Sequence, residues 1–505
     1  MDLTPPAWMD EVDAALRERP RKQRGNLAIV PDVPIEPIAG VDRLNATDLG
    51  NARRLAAKHG ENFRSVVNGQ GDGWLVWSGK AWEWDTGRRV HRLAQTVPDM
   101  IREEADACPD PKAAKKLEKW ALTTESSGAQ RAILSLLTSQ EGIPVSMSDL
   151  DADPWLFNCQ NGTFNLMTGE FGPHRREDLL TKMAGASYVP DAKCQRWLSF
   201  LDTIMGGDQE MVDYLQEAIG YSLCGTTKEQ CMWVLHGDGS NGKSTFMETI
   251  LLLTGSYGRL VPPDTFAEKP NGGIPNDVAS LAGCRFALAS ETKKGAALDM
   301  GIVKRATGDK TMSARFMRGE YFDFPVQLAL WMPTNHKPII KGNDHGSWRR
   351  IRLVPFTVTI PDDKKDENLG DKLKAELDGI LWWALQGLAR WHQRGMKLPR
   401  PEKVVVATQG YRDDMDTLAE FFEDRCTVDQ ERKSRPSTLR ALNSALYDSY
   451  AEWAEARKEH LLSQRTFSMV MKERGFEQDS NRSEGRKWVG LSVETLAKPK
   501  RFGHF

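Results

Sequence analysis

Cysteine is sparse in this chain, and what there is lacks pairing. The seven cysteines, Cys108, Cys159, Cys194, Cys224, Cys231, Cys284 and Cys426, never fall at C-x-x-C spacing and are odd in number. That argues against a zinc site or a disulfide framework and fits a reducing cytoplasm. Long apolar runs are missing too. Nothing approaches the ~20 residues that a membrane span needs, so no membrane partner is expected. The opening Met1-Asp2-Leu3-Thr4-Pro5-Pro6 has no basic segment leading into an apolar one, so no secretory leader is expected. Excess charge of one sign is absent: the formal net charge is −2. Nucleic-acid contact must then come from local patches rather than from the whole surface.

What remains is an ordinary globular composition, with 40% hydrophobic and 27% charged residues. At 505 residues the chain is too long for one core, and several domains are expected. Residues 1–45 read as a flexible arm, with the basic cluster Arg17, Arg19, Arg21, Lys22 and Arg24 ahead of Pro31, Pro34 and Pro37. A solvated tail is one role for it and a weak nucleic-acid contact the other. Residues 46–145 read as mostly helical with one hairpin, where Trp74–Trp77 and Ala81–Trp84 flank Ser78-Gly79-Lys80. Its tryptophans suit a core or base stacking. Residues 146–224 carry a second hairpin signal at Asn161-Gly162 and a turn at Met167–Glu170, then helices over 195–224. Residues 225–360 alternate strand and helix, and a helix is expected over 370–396, which together mark a domain over 225–400. A last small domain occupies 410–505.

The most informative stretch is Gly237-Asp238-Gly239-Ser240-Asn241-Gly242-Lys243-Ser244, a G-x-x-x-x-G-K-S phosphate loop. An apolar run, Cys231–Leu235, precedes it, and helix-compatible residues from Thr245 follow, which is the context the motif requires. Backbone N–H groups at a helix N-terminus favour phosphate anions. Lys243 then serves the terminal phosphates of ATP, and the Ser244 hydroxyl serves Mg²⁺. The apolar strand Phe286–Ala289 ends in Ser290-Glu291, where Glu291 is placed to activate water; alone it would read as an exposed strand-end acid. A second apolar strand, Leu328–Thr334, ends at Asn335, suited to sensing the γ-phosphate. Trp348-Arg349-Arg350 offers an arginine to a neighbouring subunit's γ-phosphate, or else a basic surface strand; Arg349 and Arg350 are not separable by sequence.

In order, these motifs, with Lys304-Arg305-Ala306-Thr307-Gly308-Asp309-Lys310 and Thr334-Asn335-His336-Lys337-Pro338, resemble superfamily 3 DNA helicases. The narrower resemblance is to the phage/plasmid and poxvirus-type primase-helicase branch. It is strong over 225–360. It reaches more weakly to the Asn161-Gly162 region, similar to that branch's helicase-associated N-terminal domain, and to Asp378-Gly379-Ile380-Leu381-Trp382-Trp383. The expected fold class is α/β: the resemblance implies an AAA+-like P-loop ATPase core, set beside a mixed α+β N-terminal region and a C-terminal domain whose two helices and charged turn read as a winged helix. It implies a hexameric ring that binds ATP between subunits and moves 3′→5′ on single-stranded or forked DNA. It also implies Glu291 beside Ser244 at Mg²⁺, although Ser290 stands where relatives often carry a second acid. A separate primase or polymerase is an expected partner, and the cytoplasm of a bacterial host the expected location.

Two regions are candidates for holding DNA. A hairpin over Ala314–Phe322, turning near Arg318-Gly319, offers Lys304, Lys310, Arg315 and Arg318 for phosphate contact, with a solvated hairpin as the alternative. In the C-terminal domain an amphipathic helix over Ser437–Trp453 precedes a second helix capped by Ser463 and carrying Arg465 and Lys472. The charged turn Asn481–Lys487 then supplies Arg486 and Lys487. Residues 427–505 hold 15 Lys and Arg against 11 Asp and Glu, a modest excess that suits duplex DNA or a docked protein. Three classes stay open. They are a replicative helicase, a helicase with intrinsic primer synthesis, and an ATP-dependent DNA-binding motor or regulator that does not unwind. For priming, the nearest carboxylate spacing is Asp151-Ala152-Asp153, which reads as a loop, so intrinsic priming is not expected.

Overall fold

The computed structural model describes residues 45–68, 71–268, 276–289, 296–315, 321–341, 344–432, 434–457, 461–481 and 485–493. The basic arm before residue 45, Glu291, Arg318 and the tip of the last charged turn lie outside these. The chain divides into two compact units, Met1–Met183 and Ala184–Phe505.

In the first unit, strands β1 (Phe63–Asn68), β2 (Gly71–Trp77), β3 (Trp82–Trp84) and β4 (Pro144–Ser146) form a sheet in the order β3-β2-β1-β4. The expected tryptophan hairpin is β2–β3, with Trp77 opposite Trp82. Trp82 is buried, so it serves the core, whereas Trp84 is 44% exposed and covers Gly73. Helices Asp48–His59, Val97–Asp106, Pro111–Thr124 and Ser127–Leu137 supply Leu55, Val97, Ile101, Ala121 and Ile133 to one core with Phe63. Their starts are set locally: Thr47, Asp110 and Ser126 each accept a backbone N–H of the first turn. A three-stranded sheet follows, β5 (Leu156–Cys159), β6 (Gly162–Asn165) and β7 (Phe171–Gly172). Cys159 pairs with Gly162, so the tight turn is Gln160-Asn161, one residue earlier than expected. Gly162 instead opens β6, where a Cβ would meet Gly172 O at 2.4 Å, so only glycine fits. Asp151-Ala152-Asp153 is a loop; the Asp151 carboxylate accepts the backbone N–H of Thr181 at 2.7 Å.

The second unit is built on five parallel strands: β8 (Met232–His236), β9 (Gly258–Val261), β10 (Phe286–Ala289), β13 (Ala329–Thr334) and β14 (Ile351–Pro355). Their order is β14-β8-β13-β10-β9. The hairpin strands β11 (Thr311–Arg315) and β12 (Tyr321–Pro325) lie between β10 and β13 in sequence and, among the described residues, pair only with each other. Parallel strands are covered on both faces and so read as continuous apolar runs. On one face Trp233 and Trp331 stack at 4.5 Å and donate to Tyr214 and Ser222 of helix Gln209–Ser222. On the other, Met232, Val234, Leu330 and Met332 pack with Val303 and Phe324.

The helix expected over 370–396 is two, Leu369–Lys374 and Leu377–Gln393. Glu376, at the break, makes a tertiary contact. The Glu376 carboxylate accepts the N–H groups of Arg196 and Trp197, and so caps helix Gln195–Met205, which has no side-chain cap of its own. Helix Gln209–Ser222 meets Leu377–Gln393 almost backbone to backbone: a Cβ on Gly387 would lie 2.1 Å from Gln216 O.

At the C-terminal end, β15 (Cys426–Val428) pairs with β19 (Leu491–Val493), and β16 (Arg440–Leu442), β17 (Glu477–Asn481) and β18 (Gly485–Val489) form a sheet in the order β16-β18-β17. Helices Asn443–Arg457 and Gln464–Glu473 pack Tyr450, Trp453 and Phe467 against Phe421 and Trp488. The first begins at Asn443 rather than Ser437, because Arg440–Leu442 is engaged in pairing with β18. The second is capped as expected, with Ser463 Oγ accepting from Thr466 N.

Candidate functional site

The glycine loop joins the C-terminal end of β8 to helix Lys243–Thr254. Its glycines answer two separate demands. Gly239 and Gly242 have φ of +103° and +80°, values L side chains rarely adopt. Gly237 is a close approach: a Cβ there would lie 2.3 Å from both Asn241 Nδ2 and Phe356 O. The loop thus packs against the end of β14, and Asn241 Nδ2 donates to Phe356 O at 3.3 Å. Lys243 is 5% exposed, and its ammonium donates to Gly237 O at 2.7 Å and Asn241 Oδ1 at 2.9 Å. Asp238 and Ser240 are exposed on the crest.

A cleft of about 590 Å³ opens over this loop. Gly239 to Thr245 form one wall, and Leu288, Ala289, Pro333, Thr334 and Asn335 form another. The loop, the end of β10 and the end of β13 therefore converge on one space. Asn335 shares it with Lys243, Ser244 and Thr245. Glu291 lies outside the described residues, two positions beyond Ala289. His236, at the loop's entry, has a lowered pKa, chiefly from burial and next from Lys337. A second cleft of about 500 Å³, beside Cys194, Gly379, Trp382 and Trp383, holds none of the residues expected to bind phosphate, metal or DNA.

Arg349 and Arg350 are elsewhere. They sit in the turn between helix His345–Trp348 and β14, not on a basic strand. Arg350 O accepts from Met232 N at 2.8 Å, which places this turn at the start of β8, while the glycine loop follows its end. Five residues of strand, about 16 Å, separate the two ends of the sheet. Arg349 is exposed and donates to Gln230 Oε1 at 2.8 Å. Arg350 is partly buried and donates to Gly346 O at 2.6 Å; burial, then the Arg349 charge, lowers its pKa.

The DNA candidates fall in two places. Lys304 is tied to Asp344 at 3.1 Å. Lys310 is exposed just before β11, and Arg315 is exposed at the end of that strand, while Met312 and Ala314 point into the core. In the C-terminal sheet, Lys472 and Arg486 line one open groove of about 660 Å³ with Phe476, Glu477 and Gln478. Arg465 is exposed on helix Gln464–Glu473, and Lys487 is half-buried on β18. Arg474, at the end of that helix, is instead a core cation, paired with Asp416 and set over Phe422.

Sequence reasoning missed Lys365, whose ammonium donates to Ser240 Oγ on the loop crest at 3.1 Å. No motif marks it, because it reaches the loop from beyond β14. It also missed that Asn241 bridges the loop to Phe356.

Residues 52–206 match the family described as D5 N terminal like. The chain is 26% identical over 333 residues to a protein of Acanthamoeba polyphaga mimivirus named as a candidate helicase, a match covering 61% of this chain and 34% of that protein. It is 22% identical over 358 residues to a candidate helicase of Invertebrate iridescent virus 6, covering 63% and 36%. It is 25% identical over 339 residues to a candidate primase of African swine fever virus, covering 61% and 34%. The matched segment thus spans about a third of each relative. Among solved structures, the apo C-terminal region of NrS-1 superposes with a TM-score of 0.48 at 9% identity, covering 89% of this chain and all of that one. Among the described residues, no helix is long and apolar enough to cross a membrane. The D5 N terminal like match and the viral relatives fit the phage and viral superfamily 3 primase-helicase family.

Proposed function

We propose that this chain is an ATP-driven replicative DNA helicase whose hydrolysis centre is shared between adjacent protomers. One observation carries the reading. Asn335 and the Lys243 loop face one cleft, while Arg349 and Arg350 stand about 16 Å away at the opposite end of the same parallel sheet. An arginine side chain cannot cross that gap within one protomer. It can serve a neighbour's cleft, and a closed ring, a hexamer in this proposal, supplies that neighbour to every protomer.

The residues present suit a nucleotide triphosphate. Gly239 to Thr245 line the cleft, and helix Lys243–Thr254 begins there, so its N-terminus faces the space a phosphate would take. Lys243 would hold the terminal phosphates and Ser244 would hold Mg²⁺, which supplies charge neutralisation when bound. Asn335 would orient the attacked phosphate, Glu291 would accept the water's proton, and Arg349 or Arg350 of a neighbour would stabilise developing charge. Single-stranded DNA would run through the ring against Lys304, Lys310, Arg315 and Arg318. The C-terminal helices and β17–β18, read as a winged helix, would hold duplex DNA through Arg465, Lys472, Arg486 and Lys487.

The test is strand displacement on forks with either a 3′ or a 5′ tail. ATP-dependent unwinding of the 3′-tailed fork, lost in Lys243→Ala, is the expected result. DNA-stimulated hydrolysis without strand separation would favour a non-unwinding motor. Primer synthesis on a bare template would add an activity this reading leaves out.

A further inference from the structure

The segment after β14 returns to the glycine loop. Phe356 N donates to His236 O at 2.7 Å, and Ile360 N donates to Ser240 O at 2.7 Å. A short turn, Asp362–Lys364, then brings Lys365 to the crest, where its ammonium lies 3.1 Å from Ser240 Oγ and 2.5 Å from Asp362 Oδ1. Ser240 is on the cleft wall and is held at φ +48°. The crest is thus flanked by two cations. Lys243 is buried inside it, and Lys365, 43% exposed, stands on its outer side.

The two lysines differ in what holds them. The Lys243 ammonium donates to carbonyl and amide oxygens within the loop. The Lys365 ammonium rests on Asp362, whose side chain is 95% exposed and whose pKa the Lys365 hydrogen bond lowers. An exposed pair three residues apart is screened by water and gives way easily to a stronger anion. Phosphate oxygens in the cleft that Ser240 lines would be such an anion. Lysine suits this exchange, being a compact charge on a flexible stem.

Resting on the nucleotide reading above, we propose that Lys365 is a second phosphate-contacting cation of the same protomer's cleft. It exchanges Asp362 for the terminal phosphate of a bound nucleoside triphosphate. Ile360–Lys365 leads directly into helices Leu369–Lys374 and Leu377–Gln393, so this exchange makes the segment respond to whether the third phosphate is present.

The test is equilibrium binding of fluorescent ADP and of a non-hydrolysable fluorescent ATP analogue to the full chain. Wild type, Lys365→Ala, Lys365→Arg and Lys243→Ala are compared, with thermal melting of each without nucleotide. Lys365→Ala should weaken the triphosphate analogue about tenfold, as expected for one charge-assisted hydrogen bond. It should leave ADP within about twofold and the melting temperature unchanged, and Lys365→Arg should restore most of the affinity. Equal weakening of both nucleotides, no weakening of either, or a lowered melting temperature overturns the proposal. Failure of wild type to bind any nucleotide would instead overturn the functional reading beneath it. Binding by wild type that is abolished in Lys243→Ala keeps the two outcomes apart.

Discussion

Gly237→Ala probes whether the loop over the cleft is wedged against the end of β14. The added Cβ would sit 2.3 Å from Phe356 O and 2.3 Å from Asn241 Nδ2. Ordinary van der Waals separations begin near 3.4 Å, so one side must move by about 1 Å. Phe356 cannot yield alone, since its N–H is bonded to His236 O at 2.7 Å. Asn241 can yield, but it then gives up Phe356 O and ceases to hold Lys243. Overpacking of this kind costs roughly 1–3 kcal/mol, and the broken hydrogen bond about 1 more. Scanning calorimetry of the full chain should record a melting temperature lower by several degrees. Nucleotide affinity should fall by at least tenfold, since about 1.4 kcal/mol of loop distortion suffices for that. Gly239→Ala is the companion. A Cβ there meets nothing within 4 Å among the described residues, so its cost comes from φ +103° rather than from collision with them. It should perturb the end of β14 less. If Gly237→Ala melts and binds like wild type, the loop is not packed as described.

Other outcomes follow from burial and charge. Burial, then the Lys228 charge, pushes His392 down to about 4, so it stays neutral in the fold while the unfolded chain takes a proton below about 6.5. Its contribution is therefore complete above pH 6.5 and disappears as pH falls toward 4, to the extent of roughly 1–3 kcal/mol. The urea midpoint of His392→Gln should fall less than wild type between pH 7.5 and 5, and parallel curves would contradict this. Burial likewise pushes Cys194 up to about 11 and Cys224 and Cys231 up to about 12. A native-state thiol titration at pH 8 should reach Cys108 and Cys426, the partly exposed pair, and leave the five buried thiols until denaturant is added. Replacing Arg465, Lys472 and Arg486 by Ala should weaken duplex binding across sequences and flatten its salt dependence by about one unit for each phosphate no longer neutralised. An unchanged salt slope would assign that groove to a protein partner.

Much of this arrangement was legible locally. The glycine loop could be placed because an apolar strand and a helix flank it, and Asn335 because an apolar run ends there. The hairpins near Trp74–Trp84 and Ala314–Phe322 were marked by their turn residues, Ser78-Gly79-Lys80 and Arg318-Gly319. What sequence could not show is set by distant partners. The order β14-β8-β13-β10-β9 joins strands far apart in the chain, and no local pattern encodes it. Helix 370–396 breaks at Ala375-Glu376, where the Glu376 side chain caps a helix some 180 residues earlier in the chain. Arg349 and Arg350 lie in a turn because a four-residue helix, capped by Asp344, ends at Trp348. Lys365 reaches the loop only through the path the chain takes after Phe356.

The division of labour between protomers is tested most directly by mixing two inactive variants. Lys243→Ala lacks the loop lysine but keeps its arginines, and the double variant Arg349→Ala, Arg350→Ala has the reverse defect. Neither alone should hydrolyse ATP with DNA present. Mixed in equal amounts, about a quarter of interfaces join an intact loop to an intact arginine pair by random assortment, and activity should return in that proportion. Mixed oligomers that form and stay inert at every ratio would contradict the account, as would full hydrolysis by the arginine-deficient variant alone.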